Sequence, residues 1–144
     1  MPIIHTIIVV HTTSTITDAN SDAPFSLNIY RQRPPPQDDK LLMNPNFPSL
    51  PHNEREKGLT DCYSFDFTDD PINWISQTEN LVTMRMIGSN DGWLPQSIFV
   101  IGIQPDRNAI VLGSHPAWPS TNWFDRGRDP IRGSRPEYGI SGFS

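Results

Sequence analysis

The chain has 144 residues, a formal net charge of -5 and a single cysteine, Cys62. That length is one ordinary domain with a core of its own. The acidic balance argues against nucleic acid as a partner, because phosphate binding draws on a basic surface, and one cysteine leaves no internal disulfide.

The opening, MPIIHTIIVVH, has no basic residue before Arg31 and no small-residue cleavage site, so it reads as a strand over 3–12 and not as a signal sequence. Ile4, Ile8 and Val10 fall on one face and His5, Ile7, Val9 and His11 on the other; two largely apolar faces suit a central strand. The two histidines are about 20 Å apart along it, too far to share an ion, and each reads as a satisfied sheet residue. Next comes TDANSDAPFSLNIY, which sets Asp18, Asn20 and Asp22 two apart before an alternating strand, with Phe25, Leu27 and Ile29 inward and Ser26, Asn28 and Tyr30 outward. The spacing matches the first half of an EF-hand. That reading fails at Ala23 and Ile29, which stand where the loop needs a glycine and a bidentate glutamate. Two readings remain: ligands of another calcium scaffold, or a turn in which Asp and Asn side chains bond their own backbone.

Residues 31–52, with RPPPQDD and NPNFPSLP, are too proline-dense for a sheet interior and read as a long surface loop. Glu54, Arg55 and Glu56 form a charged run that reads as solvated loop. In DCYSFDF, Tyr63, Phe65 and Phe67 share one face and Cys62, Ser64 and Asp66 the other, and DPINWISQT hints at a helical turn. LVTMRMI places Met84 and Met86 as core filler. SNDG, with Asn90 and Asp91, is either a strand-to-strand turn or a second group of oxygen ligands. Trp93 and Leu94 read either as an exposed anchor for a membrane interface or as core packing. SIFVIGI and AIVLG flank the turn QPDRN and read as a hairpin. Trp118 and Trp123 either form a carbohydrate-stacking platform or cover one end of the domain.

Fifteen prolines disfavour long helices, and six or more short strands with turn signals between them predict an all-β fold, an antiparallel β-sandwich of two packed sheets or a barrel. Residues 1–125 form the sandwich and 126–144 a Gly/Arg/Pro-rich C-terminal arm. No apolar run approaches the roughly 20 residues that cross a bilayer, so the expectation is a soluble chain, in the cytoplasm or within an assembly.

Three stretches in order resemble the PLAT family of polycystins, lipoxygenases and alpha-toxin. TDAN before an alternating strand is similar to the family's Gly-Thr-Asp-Ala-Asn. EKGLTDCYSF is similar to Glu-Arg-Gly-x-x-Asp-x-Phe, with Glu56, Lys57, Gly58, Asp61 and Tyr63 in the matching places. MRMIGSNDGWLPQSIFV is similar to the family's strand, Asp-Asn-rich loop and Gly-Trp-Phe-Leu. NWFD at 122–125 is a weaker echo of the closing Asn-x-Trp-Leu. The chain departs from the family at Ile16, in place of the glycine before Thr17, at Arg55, in place of an aromatic, and in its longer 31–52 loop.

The resemblance implies an eight-stranded PLAT-like sandwich whose loops at one end bind calcium, lipid surfaces or partner proteins. It implies that the loop at Thr17 to Asp22 lies near that at Ser89 to Gly92, and near Asn53, pooling Asp18, Asn20, Asp22, Asn90 and Asp91 around calcium. No phosphate loop, paired metal-ligand histidines or nucleophile elbow is present, so the expectation is a non-catalytic binding module. The alternative is a structural subunit of a homo- or hetero-oligomeric assembly held by its loop and arm. The arm alone does not bury enough apolar surface to offset its ordering entropy. Arg126, Arg128, Arg132 and Arg135 are then expected to meet carboxylates, and Tyr138 and Phe143 to fill apolar sites, on the chain's own sandwich or on a neighbour's.

Overall fold

Period-two burial builds this domain. The computed structural model describes residues 3–17, 19–32, 36–38, 40–50, 54–74, 80–88, 92–125, 135–140 and 142–143, and among them there is no helix. Chain order gives β1 (Ile3–Ile4), β2 (Thr6–Thr13), β3 (Phe25–Arg31), β4 (Lys40–Met43), β5 (Thr60–Asp66), β6 (Ile72–Asn73) and β7 (Asn80–Met86). It continues with β8 (Pro95–Ile103), β9 (Ala109–His115), β10 (Glu137–Gly139) and β11 (Gly142–Phe143).

The larger sheet runs β11-β9-β8-β2-β5 and the smaller β10-β7-β3-β4. Eight strands pair antiparallel, four in each sheet, and the two-residue β11 adds a parallel edge to β9. Between the sheets lie Ile7 and Val9 of β2, Phe25, Leu27 and Ile29 of β3, Tyr63 and Phe65 of β5, and Val82, Met84 and Met86 of β7, all buried. This is the antiparallel sandwich that the alternation predicts. The β8–β9 hairpin closes through QPDRN, where Gln104 and Asn108 bond and Arg107 takes a positive φ of 71°.

Four expectations are corrected. The first strand breaks at His5: Ile3 and Ile4 pair with Asn73 and Ile72 in a separate ribbon, where a helical turn was expected, and residues 75–79 lie outside the described set. Ile4 turns inward against Gly102, where an added Cβ would stand 2.8 Å from the Ile4 Cδ1, so Ile4 does not share a face with Ile8 and Val10. Residues 31–52 are not loop throughout. Lys40–Met43 forms an edge strand on β3, as suits a proline-rich neighbourhood, and Phe47 bonds back to the Phe25 carbonyl.

Of the two packings expected for the arm, the described part takes the one on the chain's own sandwich. Residues 137–139 pair with β7 and residues 142–143 with β9, so the C-terminus extends both sheets of its own body. Tyr138 is buried there against the rings of Trp118 and Phe124, with the Arg135 guanidinium over its ring. Tyr138 is therefore core, not an interface with a neighbour. Of Phe143 only the backbone is described, in β11, and Arg126, Arg128 and Arg132 lie outside the described residues.

Candidate functional site

Strands β2, β5 and β8 meet at one end of the sandwich, where the segments 14–24, 54–59 and 87–94 are tied together by backbone hydrogen bonds. Ser14 N donates to Leu94 O, Leu94 N to Ala19 O, Ser21 N to Arg55 O and Gly58 N to Thr13 O, at 3.0 to 3.2 Å. The convergence of the TDAN loop on both later loops is thus a property of the fold. Two local turns stiffen it, with Ser14 Oγ accepting from Ile16 N and Ser21 Oγ accepting from Ala23 N, both at 3.1 Å. Gly58 takes φ +77°, a left-handed turn that glycine enters at least cost, and this brings Leu59 alongside Thr13.

Beneath the loops sits a buried polar cluster. Arg55 is 6% exposed with φ 53°, which corrects its reading as part of a solvated run. Its backbone N donates to Asp61 Oδ2 at 2.7 Å, Nη1 to the Tyr63 hydroxyl at 3.1 Å and Nη2 to Ala23 O at 2.8 Å. The guanidinium also lies 5.0 Å over the Phe25 ring. Where the family pattern has an aromatic residue, this chain has a cation that bolts the 14–24 loop to β5. Tyr63 in turn donates to the Glu54 carboxylate. Burial, and then that carboxylate, push the Tyr63 hydroxyl up.

His11 completes the base. It is fully buried among the rings of Trp93, Tyr63 and Phe47, its Nδ1 is 4.0 Å from Asp61 Oδ2, and neither ring nitrogen has a hydrogen-bond partner among the described residues. The expectation of a satisfied histidine is therefore corrected. Burial lowers its pKa to about 4, with Asp61 pulling the other way.

Trp93 and Leu94 are 0% and 1% exposed, so neither is an anchor at the surface. Trp93 Nε1 donates to Thr13 Oγ1 at 2.9 Å and the ring packs on Phe25 and Phe124. Trp118 is also buried, stacked on Phe124, and Trp123 packs against the core, which removes the carbohydrate platform. The exposed apolar side chains at this end are others: Ile16 at 45%, Leu59 at 52% and Ile87 at 39%. Sequence reading missed them, although Ile16 stands at a position where the family pattern has glycine.

Of the expected calcium ligands, Asn20 and Asp22 are exposed on the 14–24 loop, while Asp18, Asn90 and Asp91 lie outside the described residues. Asp125 joins this end, its carboxylate next to Gly92. Among the described residues no three histidine, cysteine or acidic side chains gather closely enough to hold a metal. No described helix is long and apolar enough to cross a membrane.

No family model matches the chain, and no curated protein matches it. Solved structures do. The alpha toxin of Clostridium absonum superposes with a TM-score of 0.61 at 15% identity over 96% of this chain and 32% of the toxin. Coral 8R-lipoxygenase gives 0.61 and 15% over 94% of this chain and 16% of that enzyme. The alpha-toxin of Clostridium perfringens from an avian strain gives 0.58 and 17% over 96% and 32%. The chain thus has the PLAT-like, C2-like sandwich fold, and it spans only about a third of the toxins and a sixth of the lipoxygenase.

Proposed function

We propose that this PLAT-like sandwich is a non-catalytic binding module that docks onto a lipid surface through its 14–24, 54–59 and 87–94 loops, with calcium assisting. The observation that carries the reading is the pairing of exposed apolar side chains, Ile16 and Leu59, with oxygen-bearing Asn20 and Asp22 on loops fixed to a buried base. Apolar tips on a rigid platform bury surface on docking without first being ordered.

Calcium has a physical role in that scheme. A chain of net charge -5 is repelled by an anionic leaflet. A divalent cation held among Asp18, Asn20, Asp22, Asn90 and Asp91 inverts the local sign. These side chains are carboxylates and amides of the sort calcium takes, and of the described pair both Asn20 and Asp22 are exposed on the 14–24 loop. Coral 8R-lipoxygenase, which shares the fold, is associated with calcium activation via a C2-like domain. A protein partner docking at the same loops is the other reading of this surface.

Cosedimentation with phosphatidylserine-containing vesicles tests the proposal. Binding is expected with millimolar calcium and is expected to fall at least tenfold with chelator, in Leu59→Ser and in Ile16→Ser. Equal binding by the variants, or none by the native chain under either condition, would overturn it.

A further inference from the structure

The outer face of the larger sheet breaks the pattern of a solvated sandwich. A sheet with one face on the core is expected to turn polar residues to water on the other. Here β2 and β8, the two central strands, turn Ile8 and Val10, and Phe99, Ile101 and Ile103, outward, all half-exposed, and β9 adds Val111 at 44% exposure. Register makes them contiguous: Ile8 faces Ile101, which faces Val111, and Val10 faces Phe99 in the adjoining row. None of the six belongs to the core or packs against it. Exposed apolar residues scattered singly need no explanation, but six side by side across three strands do.

We propose that this face is where a second copy of the chain packs, sheet against sheet, in a weak symmetric dimer. Charge argues for a copy of itself. Among the outward positions of β2, β5, β8 and β9 the one charged side chain is Asp66, at a corner, and Thr12 and Thr60 close the opposite end with a hydroxyl pair at 2.7 Å. Two molecules of charge -5 repel one another over most of their surfaces, and they meet at least cost where each is neutral. The same neutrality gives a nucleic acid or an anionic membrane no cation to hold. Identical flat faces are self-complementary about a two-fold axis, and two sheets stack at about 10 Å with strands nearly aligned.

Size sets the strength. Strand spacing and rise make the face roughly 20 Å by 20 Å, about 400 Å² for each copy. The resulting total of about 800 Å² is below the ~1,200 Å² of a standard stable interface, so the dimer is reversible and concentration-dependent. The face belongs to the strands and not to the 14–24, 54–59 and 87–94 loops, and the inference does not rest on the lipid reading.

Sedimentation equilibrium of the full chain in chelator, without lipid, tests it over protein concentrations rising to hundreds of micromolar. The mass is expected to rise from 16.3 kDa towards twice that value. Ile101→Lys and Val111→Lys are each expected to weaken association at least tenfold, and Leu59→Ser to leave it unchanged. Val111→Lys, at the more exposed site, carries the test if circular dichroism shows that Ile101→Lys fails to fold. A mass of one chain at every concentration, lysine variants that associate like the native chain, or loss of association in Leu59→Ser would each overturn the proposal.

Discussion

Two polar clusters in this protein use nearly the same groups in opposite settings. Beneath the 14–24 and 54–59 loops, Arg55, Glu54, Asp61 and Tyr63 bond to one another and to the Ala23 carbonyl, largely out of water. On the outer face of the smaller sheet, the half-exposed Glu137 accepts through Oε2 from the half-exposed Tyr30 and from the buried Asn28 and Thr83. A desolvated hydrogen-bonding group is costly to leave unmatched, whereas a half-exposed one falls back on water. The first cluster therefore fixes where the loops stand, and the second seals β10 onto β7 and β3 at small energetic risk.

The sharpest way to break the contrast is Arg55→Met. It removes the two side-chain bonds, leaves the Ala23 carbonyl without this donor and takes the cation away from the Glu54 carboxylate, to which Tyr63 still donates. A loss of about 3 kcal/mol is expected in urea unfolding, in the range for removing one member of a buried charged network. The 14–24 loop is expected to lose protection in hydrogen exchange while β7 and β10 keep theirs. A loss under ~1 kcal/mol would place Arg55 among ordinary surface residues.

Acid probes the same base through His11. Its pKa is about 4 when folded against 6.5 for the free side chain, so between these values the unfolded chain binds a proton that the folded one refuses. Stability is therefore full above pH 6.5 and falls as pH drops to about 4, by up to about 3 kcal/mol from this one group. Melting temperatures across that window are expected to decline in the native chain and to decline less in His11→Phe. Parallel curves would show that His11 does not titrate as its burial demands.

Glu137→Gln is the mildest change. An amide keeps one acceptor for the Tyr30 and Thr83 hydroxyls and gives up only charge assistance, so a loss of about 1 kcal/mol is expected in the same urea assay. A loss equal to that of Arg55→Met would erase the distinction between the two clusters.

The sequence by itself determined the fold class and most of its strands. Tyr63, Phe65 and Phe67, or Phe25, Leu27 and Ile29, share a face because side chains in a strand alternate with a period of two, and that local rule survived folding intact. The three loop motifs kept their chain order and met at one end. Tertiary structure decided the rest, because it depends on which surface meets which. Periodicity shows that β2 and β8 are apolar on both faces but not which face the second sheet covers, so the open outer face appears only in the assembled sandwich. Trp93 is buried, and Ile16 and Leu59 are exposed, through the paths of three loops distant in sequence. Arg55, read from its neighbours as solvated, is drawn inside by Asp61, Tyr63 and Ala23. Residues 137–139 and 142–143 carry too little apolar surface to order themselves, and they became strands because β7 and β9 offered unpaired edges.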